Sequence, residues 1–581
     1  AILTRGEQGY GLMSTVKWHR QRGKPFRTGV FIDSRGRVYH SGYLTPTGGE
    51  MVRPFLNSHR AKNFDPESYT ELKTQIGAML GIDTEILSTV GRHAAFERNR
   101  DELIKIGKML STPTQRDRRI REFLEHPIIQ HAGDEPAEIP KIARMALELA
   151  RLNDHLDGDF NDFAKMRTFK TKLMVENDAS SSGAQIIGLS TGDRAVSELS
   201  NVVQTTQKQR LYDVIAQRTI DDPDFRKIAS LREANLTWKD LVKGAKYQNM
   251  VTFYGAGEAT KTANVARGVA KVLGKKGYFA ITKDDLTERL RIIDNKIKQS
   301  DKLGANAVAA DLTAFRKELV ETINNGSPVS RTLLKEARDI HPDTEEFVNK
   351  LFNNRVGIVG PKDFDAISRI MSKYLESEVP VTGQFINFWK KAAKTYVSDT
   401  QNVDIPWVTF DGKIMMQRYR PPVQQRIDFT DPITGRKISN IYEDRATDGK
   451  MKGKADLANA AIGLGVNGNH SNDAVIVRQF HLWGRKNDVD TGTIHDAFFT
   501  NIGDATPARD ALRTIYADAL DGDTIRNTLK EMRRQGMSKK AYNELLEEAK
   551  SRGLIDPPNK LTRQDILETI KDGFDWYGIG P

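Results

Sequence analysis

Two short apolar stretches, each leading to an aspartate, lie far apart in the chain and constrain its fold more than any other feature. Asp178 follows the apolar residues 173–175, whereas Asp496 lies in the segment 494–500, which reads Ile-His-Asp-Ala-Phe-Phe-Thr. Each stretch has the length of a strand that runs into a loop. Carboxylates at the ends of neighbouring strands can hold two divalent metal ions close together. The pair therefore predicts two adjacent strands that carry a two-metal site.

The composition limits the metal and the surroundings of such a site. The chain has 581 residues and no cysteine, so disulfides, thiolate zinc sites and cysteine nucleophiles are excluded. Any metal must be held by oxygen or imidazole, which favours Mg²⁺. No apolar run approaches the ~20 residues that cross a bilayer, and no signal-peptide pattern is present. A large globular protein with several subdomains and no membrane contact is therefore expected.

An excess of basic residues favours a polyanionic partner. The formal net charge is +11 at pH 7 and the pI is about 9.3. Three basic clusters stand out: Lys17, Arg20, Arg22, Lys24 and Arg27; Arg116, Arg118, Arg119 and Arg121; and Arg533, Arg534, Lys539 and Lys540. The first is interleaved with Trp18 and Phe26, as in surfaces that bind phosphates and stack on bases. For the other two, a solvated helix face is an equally good interpretation.

Helical periodicity dominates the chain and predicts an α+β protein that is mostly helical. Residues 60–170 are mainly helical in pattern, and residues 275–345 form a charged helical stretch with breaks at glycine and proline. Residues 422–456 are punctuated like a β-hairpin. The glycine-rich residues 463–469 are expected to form a flexible approach to the second aspartate strand.

A helix is predicted to begin at Thr237, which forms a capping-box pair with Asp240. Lys243, Lys246 and Tyr254 would share one broad face of this helix, and Gly255 with Gly257 would end it. Two lysines on one helix face are typical of a surface that binds a triphosphate. Tyr254, followed by Gly255, could present its ring and hydroxyl to a base and sugar. Solvated lysines and a core tyrosine are the alternative.

Two further segments carry candidate residues. Asp33-Ser-Arg-Gly-Arg-Val-Tyr39 places Arg35 and Arg37 in a turn after an apolar strand, which suits phosphate clamping or, alternatively, an ordinary surface turn. Asp178-Ala-Ser-Ser-Ser-Gly183 is rich in small residues that allow close approach of a nucleotide, although an ordinary Ser/Gly turn fits too. His495 is expected on a strand, with its side chain on the face opposite Asp496. With the basic helix between the aspartates, these segments indicate a nucleotidyl transferase.

Taken together, the segments resemble the single-subunit DNA-dependent RNA polymerases of bacteriophages and mitochondria. The Asp33 to Tyr39 segment is similar to the family's Asp-x-x-Gly-Arg element, and Asp178 to Gln185 to its first catalytic motif. Lys246-x7-Tyr254-Gly255 is similar to the fingers motif, and His495-Asp496-Ala-Phe498 to the last one. Segments such as Trp407 to Gly412 and Asn469 to Asp473 extend the resemblance from about residue 28 to residue 578, in family order.

The resemblance implies a right-hand polymerase with a small antiparallel palm sheet and large helical fingers. Residues 1–205 would form the first part of the palm with an N-terminal extension, and residues 477–581 its second part with a C-terminal tail. Residues 206–476 would be the fingers. Within them, residues 275–345 would be a helical insertion and residues 422–456 a promoter-reading hairpin.

The resemblance also implies roles for individual residues. Asp178 and Asp496 would hold two Mg²⁺ ions at the catalytic centre. Lys246 would contact the incoming triphosphate, and Tyr254 would help to select ribose over deoxyribose. Arg37 would contact nucleic acid near the active centre.

Two positions distinguish this chain from related enzymes. DNA polymerases that resemble the family carry a glutamate five residues after the first aspartate, and it blocks a 2′-hydroxyl. Here Gly183 occupies that position and leaves room for a ribonucleotide. The family has an arginine four residues before the fingers lysine, whereas this chain has Val242. Lys243 would substitute for this arginine, with the single point charge of an ammonium group in place of a bidentate guanidinium.

The hairpin at residues 422–456 occupies the place of the family's promoter-reading element. Its polar side chains include candidates that could reach base edges in a major groove: Arg436, Lys437, Asn440 and Arg445. An exposed polar hairpin without such a role is an equally good interpretation of any one of them.

The function expected from the resemblance is DNA-templated RNA synthesis from NTPs, in phage transcription, in the cytoplasm of a bacterial host or packaged in a virion. The alternatives are a related DNA polymerase, which Gly183 disfavours, and a non-catalytic nucleic-acid-binding component, which the intact aspartates, lysine and tyrosine disfavour. From the resemblance, we expect the family's N-terminal promoter-binding domain and thumb to have no counterpart in this sequence. A second subunit, removal by processing, or loss would each explain that.

Overall fold

The structure is a computed structural model. It describes residues 29–33, 35–41, 45, 56–80, 89–112, 114–131, 138–203, 210–327, 329–353, 357–417, 423–430, 437–444, 457–568 and 579–580. The chain forms two compact units, one from residues 1–209 and 388–581 and the other from residues 210–387. None of the helices in the described ranges is long and apolar enough to cross a membrane.

Helices and short strands alternate along the N-terminal part of the chain. In order, they are β1 (Gly29–Ile32), β2 (Val38–Ser41), β3 (Asn57–Asn63), α1 (Pro66–Leu80), α2 (Thr89–Ser111), α3 (Arg116–Glu125), α4 (Pro127–His131), α5 (Glu138–His155), α6 (Phe163–Met166), β4 (Lys170–Ala179), α7 (Ser182–Thr191) and α8 (Arg194–Leu199).

The middle of the chain is almost entirely helical. Its elements are α9 (Leu211–Asp221), α10 (Pro223–Lys227), α11 (Ala229–Glu233), α12 (Trp238–Thr252), α13 (Glu258–Lys275), β5 (Phe279–Ala280), α14 (Lys283–Lys302), α15 (Asn306–Asn324), α16 (Arg331–Arg338), α17 (Pro342–Asn353), β6 (Ile358–Val359), α18 (Pro361–Glu378) and α19 (Pro380–Thr400).

The C-terminal part returns to short strands and then to helices. Its elements are β7 (Ile405–Val408), β8 (Ile414–Gln417), β9 (Val423–Thr430), β10 (Lys437–Asp444), α20 (Leu457–Lys486), β11 (Thr491–Ile494), β12 (Ala497–Asn501), a 3₁₀ turn (Ile502–Asp504), α21 (Ala505–Leu520), α22 (Thr524–Arg534), α23 (Lys539–Ser551), α24 (Arg563–Glu568) and β13 (Ile579–Gly580).

One five-stranded antiparallel sheet organises the first unit. Its strand order is β11-β12-β4-β13, and β3 also pairs with β4. Along β4 the side chains of alternate residues are buried, because successive residues of a strand point to opposite faces. Leu173 and Val175 therefore pack into one apolar core together with helices α1, α2 and α5. A second core is built around α7, α20 and α21.

The second unit contains a close pair of helices. A Cβ atom added at Gly268 of α13 would lie 2.5 Å from the backbone nitrogen of Gly244 in α12. The two helices can therefore approach this closely only because neither residue has a side chain. The start of α12 is fixed by Thr237, whose backbone N–H donates to the Asp240 carboxylate over 2.7 Å. This confirms the capping box that the sequence predicts.

Helices α14 to α17 share a core of their own within the second unit. It extends from Ile281 to Ile358 and includes Phe315, Leu319 and Phe347. The two ends of this segment, which we call the helical module (residues 279–359), meet in the short parallel pair β5–β6. The backbone N–H of Ile281 donates to the Val359 carbonyl over 2.9 Å.

The mostly helical α+β class with small antiparallel sheets is confirmed, and β5–β6 is the parallel exception among the described strands. Strands β9 and β10 pair antiparallel, Lys437 opposite Thr430, where the sequence predicts a hairpin. The right-hand arrangement and the assignment of palm, fingers and insertion stay predictions.

Candidate active site

The structure brings Asp178 and Asp496 to neighbouring strands of the five-stranded sheet. Asp178 lies near the end of β4, opposite Ala497 of β12, and the backbone N–H of Ala179 donates to the Asp496 carbonyl over 3.1 Å. The Asp178 side chain is exposed and that of Asp496 is half-buried. Two carboxylates distant in sequence thus lie at the same end of the sheet, where solvent and a ligand can reach them.

The local structure around both aspartates differs from the expectation. Ile494 pairs with Ala497, so His495 and Asp496 form the two-residue turn of the β11–β12 hairpin instead of continuing a strand. His495 has φ +51°, since tight hairpin turns require left-handed backbone. The prediction that His495 points away from Asp496 on a strand is therefore wrong. Asp178 lies inside β4, which continues through Ala179 because β13 also pairs there.

A third carboxylate, absent from the predicted site residues, belongs to the same region. The Arg37 guanidinium contacts the Asp473 carboxylate of α20 over 2.8 Å; Asp473 is buried and Arg37 is partly buried. Burial, with the negative charge of Asp496 adding to it, raises the pKa of Asp473 to about 7, although Arg37 opposes the shift. Asp473 ends the family-like segment that begins at Asn469, and this was the signal in the sequence that could have identified it.

The predicted arginine turn is held together by Asp33. The backbone N–H groups of Arg35 and Arg37 donate to Asp33 Oδ1 over 2.9 and 3.0 Å, and Arg35 Nε donates to Oδ2 over 2.8 Å. Burial would raise the pKa of Asp33, but these hydrogen bonds lower it overall. Gly36, with φ +83°, allows the tight reversal. Both arginines are therefore positioned by a carboxylate within their own turn.

Arg35 also fixes the tautomer of His470. Arg35 Nη1 lies 3.0 Å from His470 Nδ1, and a guanidinium can only donate, so Nδ1 accepts. Burial and the positive charges of Arg37 and Arg35 lower the pKa of His470 to about 3. The ring is therefore neutral, with its proton on Nε2. Arg35 thus contacts a histidine of α20 as well as Asp33.

A buried tyrosine lies beneath the carboxylates. The Tyr516 hydroxyl donates to Gln185 Oε1 over 2.9 Å, and Gln185 Nε2 donates to the Ser200 carbonyl over 2.9 Å. Burial raises the pKa of Tyr516 well above its usual value, and the negative charges of Asp473, Asp496 and Asp178 add to the shift. The hydroxyl therefore stays protonated and ties α21 to helix α7, which begins shortly after Asp178. Gly183, the second residue of α7, is buried.

The basic candidates of the second unit lie on and just beyond helix α12. Lys243 and Lys246 are exposed, three residues apart, and share one helix face. The prediction that Tyr254 lies on the helix is wrong, since α12 ends at Thr252. The chain turns there because Gly255 adopts φ +72° and its N–H donates to the Thr252 carbonyl over 2.8 Å. Tyr254 is consequently presented from a turn.

The donor set at the sheet fits magnesium. In the part of the chain that the structure describes, no three histidine, aspartate or glutamate side chains converge to form a complete protein-only metal site. Mg²⁺ is commonly bound through one or two carboxylates, with water and substrate phosphates completing its shell. Asp178 on β4 and Asp496 in the turn before the adjacent strand β12 are both accessible and provide such a partial set.

Several predicted nucleic-acid contacts cannot be placed. Arg436 and Arg445 lie outside the described residues, as does the basic cluster from Lys17 to Arg27. Lys437 is the first residue of β10. Their roles stay predictions.

Comparison with known proteins shows the family to which the chain belongs. The family model described as DNA-dependent RNA polymerase matches residues 155–568, which is more than half of the chain. The protein is thus an enzyme of the nucleotidyltransferase class. More particularly, it belongs to the single-subunit, phage and mitochondrial type of DNA-dependent RNA polymerase family. No curated protein gave a significant match to the chain.

Proposed function

We propose that this chain synthesises RNA on a DNA template from NTPs, with Asp178 and Asp496 at the catalytic centre. The observation that carries the proposal is the placement of these two accessible carboxylates side by side, Asp178 near the end of β4 and Asp496 in the turn that leads into the adjacent strand β12. Two Mg²⁺ ions bound there would supply activation of the RNA 3′-hydroxyl and charge stabilisation on the pyrophosphate. The reaction would be an in-line attack of that hydroxyl on the α-phosphate of the NTP.

The surrounding residues give this centre a fixed shape. Asp33 positions Arg37, whose guanidinium also contacts the buried Asp473. Tyr516 and Gln185 connect α21 to the helix that follows Asp178. A site built on strands and helices holds its groups more accurately than one built on loops alone. We assign Arg37 to nucleic acid close to the reacting ends, and His495 to the substrate side of the turn.

The basic face of α12 is assigned to the incoming nucleotide. Lys246 and Lys243 are exposed side by side and would bind the triphosphate as point charges. Tyr254, in the turn after the helix, would contact the sugar and base, with Gly255 allowing the turn. Gly183 lacks a side chain that could exclude a 2′-hydroxyl, which supports ribonucleotides over deoxyribonucleotides.

The biological setting is part of the proposal. Membership of a family found in phages supports a role in phage transcription inside a bacterial host. The DNA template, the RNA product and NTPs are the partners expected. The β9–β10 hairpin is assigned to promoter reading, with a companion subunit as a further proposed partner.

Asn substitutions at the two aspartates test the assignment. We expect Asp178→Asn and Asp496→Asn each to lower RNA synthesis on a primer–template by roughly three orders of magnitude, because a neutral amide is a poor Mg²⁺ ligand. Primer–template binding, measured by fluorescence anisotropy, should change little. The matched control is Asp510→Asn, at an exposed position of α21. Near-normal synthesis by either variant would show that the two-metal assignment is wrong.

Parallel reactions with NTPs and dNTPs test the substrate. The wild-type enzyme should incorporate NTPs in clear preference to dNTPs when manganese is absent and each is supplied at the same concentration. A preference for dNTPs would instead favour a DNA polymerase of related architecture.

A further inference from the structure

An aromatic ring lies open to solvent beside the carboxylates. Phe31 of β1 is 56% exposed. Its ring stacks on Tyr39 of β2, with centroids 5.2 Å apart and an angle of 13° between the planes. The rings of Tyr39 and His495 are in turn nearly perpendicular, with centroids 5.5 Å apart. The three rings form a series, which we call the aromatic stack, leading from the solvent to the residue next to Asp496.

The strand pairing places these rings on one face of the β1–β2 ribbon. Phe31 is directly opposite Tyr39 in the antiparallel register, so their side chains share a face. The neighbouring side chains Val30 and Ile32 belong to the other face, because side chains alternate along a strand. The ring stacking is therefore set by the backbone register.

Tyr39 is held in place by polar contacts. Its hydroxyl accepts a hydrogen bond from Arg35 Nη2 over 3.2 Å and lies 3.5 Å from Asp33 Oδ2. Phe31 therefore rests on a ring whose orientation is fixed by the arginine turn. One face of the Phe31 ring is covered by Tyr39, while more than half of the side chain stays in contact with water.

An exposed ring of this kind has a recognised use in proteins that bind nucleic acids. Single-stranded DNA and RNA are commonly held by aromatic side chains on which bases stack, since every base has a π-face. The two arginines of the turn beside the aromatic stack are already engaged, Arg35 with Asp33 and Arg37 with Asp473. Within this described turn and ribbon, the exposed Phe31 ring is therefore the group that we assign to a ligand.

We propose that Phe31 is a stacking platform for an unpaired nucleobase of the nucleic acid at the active centre. The inference rests on the proposed function, because it takes the acidic pair to be where nucleic acid is held. The base comes from the template strand or from the 3′ end of the RNA, which present the same π-face. Stacking on Phe31 would extend the aromatic stack by one ring and hold that base against rotation.

The experiment uses the full chain and an RNA primer on a DNA template, without NTPs. 2-Aminopurine, whose fluorescence falls when it stacks, is placed at the first unpaired template base in one arm and at the RNA 3′ end in the other. Phe31→Leu removes the ring but keeps an apolar side chain, whereas Phe31→Trp keeps a stacking surface. Val30→Ala, at an exposed residue on the opposite face, is the matched control.

We expect Phe31→Leu to weaken binding by about 5- to 100-fold and to restore 2-aminopurine fluorescence in one arm, which identifies the stacked base. Phe31→Trp and Val30→Ala should behave like the wild type. The fold-change should be similar at low and high salt, since stacking releases few counterions.

If Phe31→Leu binds the primer–template as tightly as the wild type and quenches 2-aminopurine equally in both arms, the stacking inference is overturned. It is also overturned if Phe31→Trp loses as much binding affinity as Phe31→Leu. A wild-type chain that binds no primer–template would overturn it too. If the wild type makes no RNA but its binding depends on the Phe31 ring, the proposed function fails while the stacking inference stands.

Discussion

At the scale of single residues, the Arg37–Asp473 ion pair combines a buried carboxylate with a partly buried guanidinium. Burial raises the pKa of Asp473, and the negative charge of the nearby Asp496 raises it further. Arg37 provides the compensating positive charge at 2.8 Å. Removing one partner of a buried pair leaves the other charge without compensation.

We expect Arg37→Met to lower the free energy of unfolding by about 3 kcal/mol, because Asp473 would be buried without its cation. The double variant Arg37→Met with Asp473→Asn should lose less, since the uncompensated charge is gone. Urea denaturation followed by tryptophan fluorescence measures both. An Arg37→Met protein as stable as the wild type would show that the pair is not important for stability.

At the scale of elements, a partly buried histidine holds the strand that leads to Asp496. His481 of α20 lies between two threonines of β11, with Nδ1 2.8 Å from Thr491 Oγ1 and Nε2 3.0 Å from Thr493 Oγ1. Burial, and to a smaller extent His40 of β2, lower its pKa to about 4. The ring is therefore neutral in the folded protein at neutral pH.

This shift predicts acid sensitivity. The pKa of an unfolded histidine is about 6.5, so between pH 6.5 and about 4 the unfolded chain binds a proton that the folded chain does not. Stability should therefore fall as the pH drops through this window, by up to roughly 3 kcal/mol, and show no contribution from His481 above it. Denaturation of wild type and His481→Gln at several pH values measures the difference, which should shrink in the variant. Equal pH dependence would contradict the assignment.

The close approach of α12 and α13 is the second feature at this scale. A Cβ atom at Gly268 would meet the backbone of α12 at Gly244, next to Lys243. The position of the basic helix therefore depends on a missing side chain in its neighbour.

Gly268→Ala should push the two helices apart and cost about 1–3 kcal/mol of stability, because a well-packed contact cannot absorb an extra carbon. Gly274→Ala is the matched control, since it lies on the same helix with no atom within 4 Å of the added Cβ. That variant should be neutral or slightly more stable. Thermal unfolding followed by far-UV circular dichroism compares the two, and equal melting temperatures would refute the packing argument.

At the scale of the whole molecule, the helical module stands out as a part with a core and paired ends of its own. It contains equal numbers of acidic and basic residues, so the excess positive charge of the chain lies outside it. A segment of this kind can be inserted into a chain at little cost, because its two ends are adjacent.

We therefore expect a fragment of residues 278–360 to fold by itself. Its circular dichroism should be helical and should melt in one cooperative transition, since the apolar residues of its core are all within the fragment. A fragment with the core substitution Phe315→Ser is the control and should lose the transition. Gradual, non-cooperative melting of the unsubstituted fragment would show that the rest of the chain is needed.

Local chemistry made several features predictable. The capping box at Thr237 and Asp240 depends on residues three apart, and the turn at Gly255 depends on one glycine, so both could be inferred from short segments. The same holds for the cap of the short helix α24, where the Thr562 N–H donates to the Asp565 carboxylate over 2.7 Å. The acidic pair was also predicted, because each aspartate follows a short strand-like stretch.

Long-range packing decided other features. Residues 463–469 look flexible in sequence but lie inside the long helix α20. The tertiary environment accounts for two of the three glycines, since a Cβ at Gly463 would lie 3.0 Å from the Gln417 amide and one at Gly465 would lie 3.4 Å from Trp389. The glycines lower the helix propensity of the segment, so its sequence alone predicts a loop. The residues that pack against the glycines are distant in sequence and cannot be inferred from the segment.

The sequence by itself determined the family and the mostly helical class, and it predicts the magnesium chemistry and the two aspartates of the site, because motif spacing, periodicity and composition are properties of the chain alone. The tertiary structure decided that Asp473 lies in the same region as the two aspartates and that His495 lies in a turn with left-handed backbone. It also decided that the solvent-exposed Phe31 ring stacks on Tyr39. Burial, charge compensation and ring contact depend on contacts between residues that are distant in sequence, and only the folded chain defines those contacts.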